Sequence, residues 1–145
     1  MAVMLIDSNV LIDVATAEPT WADWSMRALD HADRHGGAAI NPLIYAEVSV
    51  SHASIESLES VLPADKVRRL PLPYEAAFLA GKAFAQYRRD GGQRRSPLPD
   101  FYIGAHAAVS NLILVTRDPR RYRRHFPRLR LIAPDTMFTE LVPTG

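Results

Sequence analysis

The chain has 145 residues, 48% hydrophobic and 23% charged, which is typical of one folded domain, so we expect a single domain over residues 1–145. The sequence contains no cysteine, which excludes disulfides, thiolate nucleophiles and cysteine-based zinc sites. It also lacks an apolar run of about 20 residues and a signal-like start, which predicts a cytoplasmic protein with no membrane association.

The net charge of +1 hides an uneven distribution of charged side chains. Residues 1–65 carry ten acidic and two basic side chains, whereas residues 66–130 carry four acidic and fifteen basic ones. The arginines of the second half cluster along the chain, among them Arg94, Arg95, Arg117, Arg120 and Arg121. This pattern favours contact with a polyanion, and the alternative is a set of solvated helix faces.

The first half of the chain predicts short strands separated by helices. The run AVMLI is too short for a helix and suits a buried parallel strand that ends at Asp7. Hydrophobic spacing, helix-starting prolines and glycine stops then predict the following elements: a helix after Asp7, a helix over 21–35, a strand over 38–41, a helix from Pro42 and a helix over 54–62.

The second half continues the alternation. The segment VRRLPLP is a poor strand because proline cannot donate to a ladder, so it is expected at a sheet edge or in a connector. The elements predicted after it are a helix over 74–90, a loop over 91–99, a helix over 100–110, a strand over 112–116, a short helix from Pro119 and a strand over 129–134. This order predicts a three-layer α/β/α sandwich with a mostly parallel sheet.

Four acids are candidates for a site at the carboxyl edge of that sheet, where ligands of such folds bind. They are Asp7 after the first strand, Glu47 in a largely apolar helix, Asp100 at a helix start and Asp118 after a late strand. For the three aspartates the alternative is helix capping, since each has a suitable context. Convergent carboxylates without cysteine favour a hard cation, Mg²⁺ or Mn²⁺, which binds phosphate oxygens and activates water.

Four segments together resemble the PIN domain, and most closely the VapC-type toxins of bacterial toxin–antitoxin pairs. They are LIDSNVLID, YAEVSVS, PLPDFYIGAHA and LVTRDPRRYRRHFP, in that order along the chain. The resemblance implies a metal-dependent endoribonuclease whose metal-binding acids are Asp7, Glu47, Asp100 and Asp118. It also matches Asn9 and Thr116 to residues that orient water or a carboxylate, for which local turn bonding is the alternative.

The same resemblance implies partners. They are an RNA substrate, a cognate antitoxin whose carboxyl-terminal segment lies in a groove, and a second copy of the toxin in a homodimer. Five apolar side chains are candidates to line the groove, with core packing as the alternative: Trp21, Trp24, Ile55, Leu58 and Leu62.

Two other functions remain open on the residues alone. A non-catalytic module that binds RNA or protein would use only the arginine-rich half, although the intact set of acids argues against it. A phosphoryl-transfer hydrolase of the haloacid dehalogenase type needs a second aspartate two positions after Asp7, where this chain has Asn9. A dinucleotide or P-loop site is disfavoured because no glycine-rich loop follows the first strand.

Overall fold

The computed structural model describes residues 2–95 and 97–136, which form one parallel sheet with helices packed against it. The five strands are β1 (Met4–Ile6), β2 (Ala38–Ile40), β3 (Arg68–Arg69), β4 (Ile113–Val115) and β5 (Leu131–Ile132). The seven helices are α1 (Ser8–Ala15), α2 (Ala22–Arg34), α3 (Pro42–Ser49), α4 (Ile55–Val61), α5 (Tyr74–Arg89), α6 (Pro99–Val109) and α7 (Arg120–His125). The predicted order of strands and helices, and the α/β class, are confirmed.

The strand order explains where a site can form. The strands lie in the order β3-β2-β1-β4-β5, and every described pair is parallel. The chain builds outward from β1 to β3 and then returns to the other side of β1 with β4. Ile6 at the end of β1 is opposite Val115 at the end of β4. The direction of winding therefore reverses between these two strands, and their carboxyl ends border the crevice typical of such sheets.

Burial follows the sequence pattern of each strand. All three residues of β1 and of β4 are buried, as expected for central strands covered on both faces. The two residues of β3 are both exposed arginines at the sheet edge, so the segment containing Pro71 and Pro73 is confirmed as an edge. No helix among the described residues has the length and apolarity to cross a membrane.

A second, smaller core holds helix α7 in position. It lies between α5 and α6 and contains Phe101 and Phe126. Gly104 on α6 faces α7 closely, because a Cβ at that position would lie 2.6 Å from the Phe126 ring and 3.1 Å from the Tyr122 ring. The absence of a side chain at Gly104 therefore allows α7 to pack directly on α6. This packing places Tyr122, which is buried, beside the end of β1.

Candidate active site

A cavity of about 530 Å³ lies at the carboxyl edge of the sheet, and all four candidate acids line it. Its lining residues are Asp7, Ser8, Asn9, Glu47, Asp100, Asp118, Arg120, Arg121, Tyr122 and Arg124. The acids come from positions far apart in the chain: the end of β1, helix α3, helix α6 and the turn after β4. The structure thus brings them together in one acidic pocket with an arginine rim.

Asp7 is the most buried acid of the cavity, with 5% of its surface exposed. Its backbone N–H continues the sheet by donating to the Val115 carbonyl at 2.9 Å. Its carboxylate caps α1, since Oδ1 accepts from the Ser8 N–H at 2.8 Å. Oδ2 accepts from the Thr116 hydroxyl at 2.9 Å and from the Tyr122 hydroxyl at 3.0 Å. The Asp7 side chain therefore caps helix α1 and also lines the cavity.

Burial is the main influence on the pKa of Asp7. It raises the pKa of Asp7 to about 6, while the hydrogen bonds from Thr116 and Tyr122 lower it and the charges of Asp100 and Glu47 raise it again. The pKa of Tyr122 lies well above its ordinary range, chiefly through burial and the charge of Asp7, so Tyr122 stays a hydrogen-bond donor. The carboxylates of the cavity also repel one another, and a bound cation would relieve this repulsion.

Glu47 projects from α3, a helix begun by the Asn41 cap. The Asn41 side-chain oxygen accepts from the Ile44 N–H at 3.0 Å, and its amide nitrogen contacts Nδ1 of His106 on α6 at 3.0 Å. This contact between buried side chains ties α3 to α6. Burial raises the pKa of Glu47, and Asp100 adds to the increase, while a 3.1 Å hydrogen bond from the Ser8 hydroxyl opposes it.

Asp100 and Asp118 are more accessible than Asp7. Asp100 lies in the first turn of α6, and its Oδ2 is 3.3 Å from Nη1 of Arg121. Asp118 follows β4 and lies 3.5 Å from Nε of Arg120. The N-cap residues of α6 and α7 are Leu98 and Pro119, and neither helix has a side-chain cap bond. Helix capping therefore does not explain Asp100 or Asp118.

Thr116 and Asn9 hold the ends of β1 and β4 together. The Asn9 amide nitrogen donates to the Thr116 hydroxyl oxygen at 3.2 Å and lies 3.5 Å from Asp7 Oδ2. Thr116 is fully buried, and its hydroxyl oxygen also accepts from the Asp118 N–H at 3.2 Å. The contacts of Thr116 with Asn9 and with Asp7 reach across more than 100 residues, so local turn bonding alone does not account for the two side chains.

The predicted RNA-binding arginines fall into three groups. Arg120 and Arg121 line the cavity. Arg94 and Arg95 are exposed in the loop between α5 and α6 and do not line it. Arg117 directs its guanidinium to the buried carboxylate of Asp13, with a distance of 2.6 Å between Nε and Oδ2. Fewer of the predicted arginines therefore line the cavity than the arginine-rich sequence suggests.

Three lining residues were not among the sequence candidates: Ser8, Tyr122 and Arg124. The sequence does contain a signal for Tyr122, because it is the only residue of the helix RRYRRH without a basic side chain, which favours an orientation toward the protein. Arg124 belongs to the same arginine cluster but lies on the cavity side. Ser8 was assigned only to a helix start, and nothing in its context indicates the bond to Glu47.

The oxygen donors of the cavity fit a hard divalent cation that is held partly through water. Asp7, Glu47, Asp100 and Asp118 offer only oxygen ligands to the cavity, and the charges of Asp100 and Glu47 add to the rise that burial causes in the pKa of Asp7. Among the residues described, however, no three acidic or histidine side chains are arranged to hold an ion directly. Magnesium ordinarily takes one or two carboxylates and keeps several waters, which suits this wider arrangement.

The apolar groove candidates divide between core and surface. Trp24, Leu58 and Leu62 are buried in the main core. Trp21 is partly buried against that core, and Ile55 is 62% exposed. Core packing therefore accounts for most of this set. Ile55 lines an apolar cavity of about 360 Å³ beside Pro42 and Tyr45.

Several solved structures resemble this fold. VapBC2 from Rickettsia felis, bound to a DNA fragment from its promoter, matches with a TM-score of 0.70 and 20% identity over 91% of this chain and 98% of that one. VapBC-1 from nontypeable Haemophilus influenzae matches with a TM-score of 0.66 and 18% identity, over 94% and 98%. FitAcB from Neisseria gonorrhoeae gives 0.63 and 19%, over 92% and 99%.

At these identities the likeness establishes the fold. No curated protein matches the chain. The sequence model of the PIN domain matches residues 4–127, a span that contains all four acids and most of the described structure. The chain therefore belongs to the PIN domain family.

Proposed function

We propose that the protein is a Mg²⁺- or Mn²⁺-dependent endoribonuclease that acts as the toxin of a toxin–antitoxin pair. The observation that carries this proposal is the meeting of Asp7, Glu47, Asp100 and Asp118 in one cavity at the switch point of a PIN-family sheet. In this proposal a single domain, residues 1–145, carries the activity, and the protein works in the cytoplasm.

Each acid has a role in metal binding that follows from its surroundings. Asp7, held by three side-chain or backbone donors within 3.0 Å, is the fixed ligand of the cation. Glu47 and Asp100 flank it and supply further carboxylate oxygens, directly or through water, and Asp118 is the most exposed of the four. A divalent cation in such a site supplies water activation and stabilises the leaving oxygen of a phosphodiester.

The arginine rim holds the substrate. Arg120, Arg121 and Arg124 line the same cavity as the acids, so a phosphate bound between them lies next to the carboxylates. Arg94 and Arg95, exposed in the loop before α6, extend the basic surface for the flanking RNA backbone. Binding through several phosphate contacts predicts an affinity that falls steeply with salt.

The toxin role and its partners are supported by the similar folds, which include a toxin–antitoxin complex from Klebsiella pneumoniae and a member of the VapBC family of toxin–antitoxin systems from Mycobacterium tuberculosis. For this chain we propose a cognate antitoxin as inhibitor and a homodimer as the functional state. The partly apolar surface around Ile55 and Tyr45 is the candidate contact for the antitoxin.

The deciding experiment measures RNA cleavage by the purified protein with Mg²⁺, with Mn²⁺ and with chelator. We expect cleavage only with a cation, and its loss in Asp7→Asn and Asp100→Asn variants that still bind RNA in chelator. Binding without cation-dependent cleavage in the parent protein would instead support the non-catalytic module. Cleavage that persists unchanged in chelator would refute the metal-dependent reaction.

The toxin role needs a separate test. Expression of the parent protein is expected to arrest growth, and co-expression of the proposed cognate antitoxin, sought as a small open reading frame next to the gene, is expected to restore it. Asp7→Asn should be harmless at the same expression level. Equal growth with the parent protein and the variant would contradict a toxin that acts by cleavage.

A further inference from the structure

An ion pair between a partly exposed arginine and a buried aspartate joins the turn after β4 to helix α1, outside the lining of the acidic cavity. Arg117 Nε donates to Asp13 Oδ2 at 2.6 Å, and the Ser25 hydroxyl of α2 donates to the same oxygen at 3.1 Å. Asp13 is 1% exposed. Because a buried carboxylate is costly without a partner, Arg117 and Ser25 are required parts of this contact.

The backbone of the same arginine is also fixed to α1. The Arg117 N–H donates to the side-chain oxygen of Asn9 at 3.3 Å, and the amide nitrogen of Asn9 donates to Thr116 at 3.2 Å. Thr116 in turn donates to Asp7 Oδ2 at 2.9 Å and accepts from the Asp118 N–H at 3.2 Å. The turn from Thr116 to Asp118 is thus anchored through Arg117, by its side chain and its main chain.

We propose that Arg117 is a positioning residue: its ion pair with Asp13 sets the turn that presents Thr116 to Asp7 and Asp118 to the cavity. The inference rests on the proposed nuclease function for its effect on catalysis. It assigns to Arg117 a role different from phosphate binding, although the residue lies in an arginine-rich segment.

The surroundings of Arg117 argue against a phosphate contact. Nε of Arg117 is bonded to Asp13, and the Arg117 side chain is only 33% exposed. Drawing the guanidinium out to bind RNA would leave a buried carboxylate without its cation, which is strongly unfavourable. Arg120, three residues later, has a side chain that is 89% exposed and lines the cavity. The two arginines therefore provide a direct comparison between an anchored and an available cation.

The test compares variants of the full chain. Arg117→Ala and Asp13→Asn each remove one side of the pair, and Arg120→Ala removes an available arginine. Arg34→Ala removes an exposed ion pair with Asp30 on α2 and serves as the matched control. The measurements are amide exchange by NMR without metal, Mn²⁺ binding without RNA, RNA binding in chelator at several salt concentrations, and kcat and KM for RNA cleavage.

For Arg117→Ala and Asp13→Asn we expect faster exchange of the Arg117 and Asp118 amides, Mn²⁺ affinity lower by roughly 3- to 10-fold, and kcat lower by about 10- to 100-fold. RNA affinity in chelator and its salt dependence should stay within about twofold of the parent. The double variant should be no worse than either single one, because the two residues act as a unit. Arg117→Lys, which keeps a cation for Asp13, should restore part of the amide protection.

The opposite pattern would overturn the proposal. If Arg117→Ala weakens RNA binding and reduces the salt dependence as Arg120→Ala does, with amide exchange and Mn²⁺ affinity unchanged, Arg117 is a phosphate contact. Asp13→Asn keeps the side-chain volume and carries the comparison if Arg117→Ala does not fold. If the parent protein cleaves no RNA, the proposed function fails, whereas amide exchange at the turn still decides the positioning role.

Discussion

The hydroxyl of Tyr122 donates to Asp7 Oδ2 at 3.0 Å, which links the first strand to the last described helix across 115 residues. Both groups are buried, so the Asp7 carboxylate is surrounded by protein donors rather than by bulk water. The pair shows how the chain holds an acid at the end of a buried strand: donors from distant segments replace the lost hydration.

Removing this hydroxyl should make Asp7 harder to ionise. Because the Tyr122 hydrogen bond lowers the pKa of Asp7, Tyr122→Phe is expected to raise that pKa above its value of about 6. Ionised Asp7 would also lose a donor, so we expect the free energy of unfolding at pH 7.5 to fall by about 1–3 kcal/mol. Titration of the Asp7 carboxyl carbon by NMR and chemical unfolding measure the two effects.

Tyr74 offers the matched control, since its side chain is exposed on α5. Tyr74→Phe should change neither the Asp7 titration nor the unfolding free energy. An Asp7 pKa that is unaltered in Tyr122→Phe would mean that the hydroxyl is not a donor to the carboxylate in solution.

The ionisation of Asp7 should make the free energy of unfolding depend on pH. Its folded pKa of about 6 lies above the ordinary 3.8, so its contribution is fully present below about pH 4 and is lost as pH rises through 6. The loss amounts to roughly 3 kcal/mol. In chelator, the stability of Asp7→Asn relative to the parent should therefore increase by about this amount between pH 4 and pH 7.5.

Unfolding of the two proteins by urea across this range tests the prediction. Adding Mn²⁺ at pH 7.5 should stabilise the parent and leave Asp7→Asn nearly unchanged, because a cation offsets the charge that only the parent carries. A stability difference that does not vary with pH would show that Asp7 titrates alike in the folded and unfolded chains.

Arg121 is expected to compete with the cation. Its guanidinium lies 3.3 Å from Oδ2 of Asp100, so it occupies one of the two oxygens that could ligate a metal and adds a positive charge beside them. Arg121→Ala should therefore bind Mn²⁺ more tightly, by roughly two- to fivefold given the weak energy of exposed ion pairs. The same variant should bind RNA more weakly in chelator, because it loses a cation from the rim. Calorimetry with Mn²⁺ and anisotropy with labelled RNA separate these opposite effects, and a parallel loss of both affinities would contradict the competition.

Gly104 should be intolerant of even a methyl group. A Cβ there meets the Phe126 ring at 2.6 Å, so Gly104→Ala is expected to destabilise the protein by about 1–3 kcal/mol through displacement of α7. The displacement should also weaken the Tyr122 bond and raise the Asp7 pKa. In Gly81 of α5 a Cβ meets nothing within 4 Å, so Gly81→Ala should be neutral or stabilising by about 0.5–1 kcal/mol. Thermal unfolding of both variants decides between them, and equal stabilities would contradict the close packing of α7.

Local patterns predicted most of the fold. The runs around β1 and β4 and the proline and glycine boundaries of α3 and α5 depend on neighbouring residues, so they can be read along the chain. For β3 the sequence predicts only an edge strand or a connector, because the pairing of this strand depends on β2 rather than on its own two arginines.

The site was predictable in part for the same reason. Strand ends located Asp7 and Asp118, and an isolated acid in an apolar helix indicated Glu47. Which arginines face the cavity was not predictable, since helix orientation and the burial of Asp13 decide it. The donor role of Tyr122 also depends on the packing of α7 against Gly104, a long-range contact that no local pattern encodes.

The strand order has a consequence for synthesis of the chain. Asp7 is synthesised more than 100 residues before strand β4 and both of its hydroxyl donors, which come from residues 113–122. A nascent chain that stops short of this region holds the acid without the neighbours that orient it. Assembly of the cavity is therefore postponed until translation of the described region is almost finished, which keeps an unfinished copy from carrying the complete arrangement.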